Sequence, residues 1–154
     1  MDELELLKEI KKLDKEITTN KLSTRNLRED DWNTLVAWWD TWPNWTTPAK
    51  GFLPENGTGG LMVEKDGTPI VAGFIYETNS DGVLLEWIVS NPGYRENDRQ
   101  DAIEKLLNDA EDKIKKMGYK HIFSIGRTKR LIDTHKKLGW FVDDKPSHEI
   151  IKNI

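Results

Sequence analysis

Between Val83 and Val89 the chain reads VLLEWIV, and a strand of this stretch carries apolar side chains on both of its faces. Val83, Leu85, Trp87 and Val89 point one way, and Leu84, Glu86 and Ile88 point the other. A strand that is apolar on both sides has to be covered on both sides, so it belongs inside a sheet with a layer above and a layer below. A Pro-Gly loop follows, then the first turns of an amphipathic helix. Where a buried strand feeds a helix N-terminus, backbone N–H groups and the helix dipole can both face an anion. This loop brings Arg95 and Arg99 to the junction, yet no glycine lies between Gly93 and Gly118.

Composition narrows the function classes. A chain of 154 residues with 36% hydrophobic and 32% charged residues is expected to fold around a single compact core. A net charge of −4 without a basic block argues against general nucleic-acid binding. The absence of cysteine excludes disulfides, zinc–thiolate sites and cysteine nucleophiles, and three scattered histidines point to no metal site. No apolar run approaches the roughly 18 residues of a membrane span, and the charged stretch Met1–Asn20 does not read as a signal peptide. The expectation is a cytoplasmic protein with no membrane partner.

Taken in order, residues 2–17 place Leu6, Ile10, Leu13 and Ile17 on one helical face with Leu7 beside them, until Thr18-Thr19-Asn20 breaks the pattern. Residues 1–20 therefore read as an N-terminal amphipathic helix that packs on its own domain or on the second subunit of a homodimer, and 21–154 as the main domain. Leu22–Leu27 alternates as a short strand. Asp30 or Asp31 is placed to cap a helix whose stripe is Trp32, Leu35, Val36 and Trp39, ending before Pro43. From there to Gly60 runs a long loop, in which Trp42, Trp45 and Phe52 either cover an open end of the core or line a substrate site.

Strands at Leu61–Glu64 and Ile70–Thr78 are joined across Lys65-Asp66-Gly67-Thr68, where Asp-Gly supports the positive φ of a tight hairpin turn. A second turn, Asn79-Ser80-Asp81-Gly82, leads into Val83–Ser90. Residues 98–117 put Ala102, Ile103, Leu106, Leu107, Ala110, Ile114 and Met117 on one face, and Gly118 closes that helix. Tyr119–Ile125 reads as a strand and Thr128–Leu138 as a helix. Trp140–Val142 and His148–Ile151 read as a closing pair of strands. The class is α/β: a mixed sheet in the order β-α-βββ-α-β-α-ββ with an extra N-terminal helix.

Several phrases in this order resemble the GNAT-type N-acyltransferases. Arg25-Asn-Leu-Arg-Glu-Asp-Asp31 is similar to the family's opening strand and helix start, and Glu64-Lys-Asp-Gly-Thr-Pro-Ile-Val-Ala-Gly-Phe74 to its central hairpin. Val89-Ser-Asn-Pro92 followed by Arg95 resembles the strand end and loop that meet the coenzyme pyrophosphate. His135-Lys-Lys-Leu-Gly-Trp140 resembles the late phrase usually written Tyr-x-x-x-Gly-Phe. The resemblance covers residues 21–154 and implies transfer of an acetyl group from acetyl-CoA to an amine on a small-molecule or protein acceptor. It implies coenzyme contacts at Val89, Ser90, Asn91, Arg95, Arg99 and Gln100.

The chain departs from the family at the loop itself, which usually reads R/Q-x-x-G-x-G/A. Aligning on Arg95 puts Asp98 and Gln100 at the glycine positions; the other register puts Asp101 and Ile103 there. Asp98 is expected to be the N-cap of the following helix, with Asp101 three residues on. A carboxylate about 5 Å from a phosphate charge opposes it by roughly 3 kcal/mol at an effective dielectric near 20. Arg95 and Arg99 can offset that by pairing with phosphate, or can instead form surface ion pairs with Glu96 or the aspartates, which are worth little. The alternative function is a GNAT-fold module that binds or assembles through its Trp-rich loop without coenzyme A.

Acyl transfer to an amine needs a base for the amine proton and an acid for the leaving thiolate. Glu86, between Leu84 and Ile88 on one strand face, is the candidate base, because an apolar setting raises a carboxyl toward neutrality. The same glutamate can equally be a packed carboxylate satisfied by a lysine, arginine or tyrosine. His135 stands where the family commonly has a tyrosine acid, and histidine can donate a proton near neutral pH. Tyr94 and Tyr76 are alternatives.

Overall fold

Asp66 and Gly67 both adopt positive φ, 51° and 80°, as a tight right-twisted hairpin turn requires. They close β2 (Gly60–Lys65) onto β3 (Thr68–Tyr76), with Lys65 opposite Thr68. The structure is a computed structural model that describes residues 2–154, the side chains of 16–20 excepted. Two compact units divide it, Met1–Ser124 and Ile125–Ile154.

In the first unit, α1 (Glu3–Lys21) leads directly into β1 (Leu22–Asn26), which runs antiparallel to β2. A 3-10 turn over Glu29–Asp31 opens α2 (Trp32–Thr41). β4 (Gly82–Ser90) is antiparallel to β3, α3 spans Arg99–Lys116, and β5 (His121–Phe123) is parallel to β4. The five strands lie in the order β1-β2-β3-β4-β5. α3 packs on β2 and β3 through Ala102, Ile103, Leu106, Leu107, Ala110 and Ile114, all buried. Leu35, Trp38 and Trp39 of α2 pack with Met62, Ala72, Phe74 and Val89 in a separate cluster. β4 is thus apolar on both sides because a helix layer covers each side.

Several expectations are corrected at the level of elements. Thr18-Thr19-Asn20 does not break α1, whose backbone runs on to Lys21; the low propensity of these residues costs only tenths of a kcal/mol each. The expected stripe on α1 is uncovered, with Leu6, Leu7, Ile10 and Leu13 exposed, while Ile17 lies outside the described side chains. Trp38 joins the buried face of α2, and Met117 of α3 is exposed. Asp31 does not cap α2. Its carboxylate accepts from the Arg28 backbone N–H at 2.8 Å and from both terminal nitrogens of Arg25 at 2.8 Å, while Arg25 Nε reaches Glu64 at 3.0 Å. That network links β1, β2 and the start of α2, which makes this arginine a structural residue.

The second unit holds α4 (Lys129–Lys137), capped by the Thr128 hydroxyl, which accepts from the Leu131 N–H at 3.2 Å. The closing strands expected at Trp140–Val142 and His148–Ile151 are not formed, and residues 138–154 carry no helix or strand. Phe141 and Ile150 are each 93% exposed. A two-stranded pair with no covered face is marginal in water, so short apolar runs alone do not make one.

Candidate functional site

The candidate base is set by a break in the β3–β4 ladder. Ala72 pairs with Val89 and Phe74 with Glu86, so Gly73 alone faces Trp87 and Ile88: a β-bulge. Trp87 absorbs the extra residue at φ +56°, a left-handed conformation that bulky residues rarely adopt. The bulge reverses the alternation beyond it. Leu85 and Ile88 both face Gly73 and α3, while Val89 joins the cluster on the α2 side, contrary to the regular alternation of the sequence reading. The absent side chain at Gly73 matters here, because a Cβ would sit 3.3 Å from Ile88 and 3.4 Å from Leu106.

Glu86 is opposite Phe74, on the α2 side, and is 7% exposed. Its surroundings are aromatic. The Trp87 ring contacts Trp39, Trp45 and Phe52 at centroid distances of 6.2, 6.3 and 6.0 Å, and Phe52 contacts Tyr76 at 6.5 Å. The loop rings thus gather on Trp87, the residue after Glu86, with Trp45 half-buried and Phe52 46% exposed.

The end of β4 gathers the other candidates. The ladder with β5 stops at Leu84, opposite Phe123, while β4 runs on to Ser90. Val89 is buried in the core cluster, which leaves its backbone as the part able to meet a ligand. Asn91 shapes the loop: its Nδ2 donates to the Pro69 carbonyl at 3.0 Å and its Oδ1 accepts from the Gly93 N–H at 2.9 Å. Arg99 Nη2 donates to Ser90 Oγ at 2.7 Å, and Gln100 is half-buried in the first turn of α3. Trp42, in the connection after α2, donates its indole N–H to the Ser90 carbonyl at 2.7 Å. The Arg95 and Arg99 guanidinium carbons lie 5.7 and 5.3 Å from the centre of the Trp42 ring. Sequence reasoning put Trp42 among the loop aromatics but had no signal for where its ring would land.

Asp98 is 1% exposed and stands at the N-cap position of α3, yet its side chain makes no capping bond. Instead Oδ2 accepts from Lys65 Nζ at 2.6 Å and Oδ1 from the Tyr94 hydroxyl at 2.6 Å. The expected cap is therefore corrected: a partly exposed lysine that reaches in competes better for this buried carboxylate than backbone N–H groups do. Burial works to raise the Asp98 carboxyl, but the bonds from Lys65 and Tyr94 outweigh it and hold it below the ordinary range. Tyr94 moves the other way, raised by burial and by its bond to Asp98, which removes it from acid–base work near neutrality.

His135, in the second unit, is buried. Its Nδ1 lies 2.7 Å from the Leu131 carbonyl and its ring meets Trp140 edge-on at 4.8 Å. A carbonyl only accepts, so Nδ1 carries the proton and the neutral ring has none at Nε2, which is buried without a partner among the described residues. Burial lowers the imidazole, with the Leu131 bond opposing, so the charged form is disfavoured. This environment does not suit a proton donor at neutral pH. Among the described residues no group of three or more acidic or histidine side chains is placed to hold a metal, and no helix is long and apolar enough to cross a membrane.

No family model and no curated protein sequence matches the chain. Solved structures do. An aminoglycoside acetyltransferase from an uncultured soil metagenomic sample superposes with a TM-score of 0.62 at 12% identity, over 88% of this chain and 98% of that one. N-acetylglutamate synthase from Neisseria gonorrhoeae, complexed with coenzyme A and L-arginine, matches with a TM-score of 0.63 at 14% identity, over 82% of this chain and 29% of that one. A ribosomal-protein-alanine N-acetyltransferase from Brucella melitensis biovar Abortus gives 0.59 at 14% identity, over 86% and 99%. These are GNAT acetyltransferases, and the chain has a GNAT-type fold.

Proposed function

We propose that this protein transfers an acetyl group from acetyl-CoA to an amine. The observation that carries the reading is the course of β4, which continues past its ladder with β5 from Leu85 to Ser90 and ends beside Arg95 and Arg99. An extended, amide-containing ligand can lie along such a strand, with its phosphates toward the arginines and its reactive end toward the bulge. The GNAT-type fold and the coenzyme A bound to the gonococcal synthase support this choice of ligand. In this reading Ser90, Arg95, Arg99 and Gln100, with the backbone of Val89 and Asn91, hold the coenzyme. Glu86 is the base, taking the proton of the attacking amine as the C–N bond forms and the C–S bond of the thioester breaks. The thiolate is protonated from solvent, and His135 serves as a packed residue. The cytoplasm suits a chain of this composition, and we assign the uncovered apolar stripe of α1 to contact with a second copy.

Isothermal calorimetry with acetyl-CoA on the full chain is the deciding measurement. Saturable heat, weakened at least tenfold in the Arg95→Gln, Arg99→Gln double variant, is the expected result. No binding at millimolar coenzyme would sink the reading. The second reading, a GNAT-fold binding module without coenzyme, is favoured by the absence of glycine between Gly93 and Gly118. It predicts that the double variant leaves stability and partner binding unchanged.

A further inference from the structure

We infer that Trp42 is a positioning residue: its indole is the platform that holds Arg95 and Arg99 as a site for a diphosphate group at the end of β4. The loop has no glycine after Gly93, so side chains stand along it where close backbone approach would be needed, and charge has to come from side chains. Two arginines supply it, but a long side chain gains little unless something fixes it in place. Trp42 is fixed at one end by its N–H bond of 2.7 Å to the Ser90 carbonyl. Its ring then lies 5.7 Å from the Arg95 guanidinium carbon and 5.3 Å from that of Arg99. Arg99 is held a second time through Ser90 Oγ at 2.7 Å.

A guanidinium held over a ring can keep edge N–H groups for phosphate oxygens. Arg99 already gives Nη2 to Ser90 Oγ and its Nε is buried, so the exposed Arg95 is the residue placed to offer its fork, with Arg99 adding charge beside it. Two cations brought to one ring repel each other, and an anion with two charged groups relieves that repulsion. Asp98, next to Arg99 in the chain, does not do so: its carboxylate is turned inside and bonded to Lys65 and Tyr94. Arg95 is exposed and forms no ion pair among the described residues. The site needs only a diphosphate; that the diphosphate belongs to a coenzyme rests on the acetyl-CoA reading.

The test titrates the full-length protein with inorganic pyrophosphate, coenzyme A and pantetheine, which lacks the diphosphate. Trp42→Ala is expected to weaken pyrophosphate and coenzyme A at least tenfold and pantetheine less than twofold. Trp42→Phe keeps a ring face without the N–H and is expected to lose less than Trp42→Ala does. Arg95→Gln is expected to reproduce the selective loss with Trp42 intact. Pyrophosphate binding without any gain for coenzyme A upholds the platform and removes the coenzyme reading. The inference is overturned if the wild type fails to bind pyrophosphate, if Trp42→Ala binds it as tightly as wild type, or if pantetheine affinity falls in step with pyrophosphate.

Discussion

Lys65 Nζ lies 2.6 Å from Asp98 Oδ2, so the last residue of β2 is pinned to the residue that opens α3. The carboxylate is almost wholly buried and takes a second bond from Tyr94. Asp98→Ala is expected to cost about 2 kcal/mol in urea unfolding, since Tyr94 and Lys65 both lose their partner and only the lysine can easily return to water. The pH dependence has a definite sign. With the folded carboxyl below its ordinary value, the stabilisation is present above about pH 4 and is lost as pH falls through the lower folded value. The acid limb of the stability profile should flatten in Asp98→Asn; an unchanged limb would refute this account.

Trp87 combines a strained backbone with three ring contacts. Removing the ring in Trp87→Ala should cost about 3 kcal/mol. Trp87→Gly loses the same contacts but relieves the left-handed backbone, so it should be more stable than the alanine variant by about 1 kcal/mol. Equal midpoints for the two variants in chemical denaturation would show that the bulge carries no strain at this position.

His135 is expected to titrate below the ordinary histidine range, because burial disfavours its charged form. Its contribution to stability is then fully present above about pH 6.5 and is lost as pH falls from there toward the lower folded value. The measurement is a proton NMR titration of the imidazole, paired with thermal unfolding at pH 7.5 and 5.5. His135→Leu should lessen the fall in midpoint. An imidazole that titrates at or above the ordinary value contradicts the buried neutral ring.

Glu86→Gln tests the base. On the acetyltransferase reading, thiol release from acetyl-CoA with a panel of primary amines should slow about 100-fold while coenzyme affinity stays within twofold. An unchanged rate would return Glu86 to the role of a packed carboxylate.

Much of the fold was legible because it is written in local periodicity. The 3.6-residue spacing from Ala102 to Ile114 located α3, and Asp66-Gly67 located the hairpin turn and its positive φ. The two-sided apolarity of Val83–Val89 placed β4 inside a covered sheet. The same local reasoning overreached at Trp140–Val142 and His148–Ile151, where short apolar runs exist but no ladder forms.

The sequence by itself therefore determined the elements as far as α4, their mixed order and the arrival of two arginines at the end of β4. Only the tertiary structure decided what those groups meet. The bulge opposite Gly73 sends Ile88 to the α3 side and Val89 to the α2 side, Asp98 exchanges its cap for Lys65, and Trp42 lands on Arg95 and Arg99. The partners in these contacts are 33 residues apart for Lys65 with Asp98 and 48 for Trp42 with Ser90. Periodicity and capping rules act within a few turns of chain. Contacts at such separations are selected by which buried charge, ring or hydrogen-bonding group lies within reach once the layers have packed.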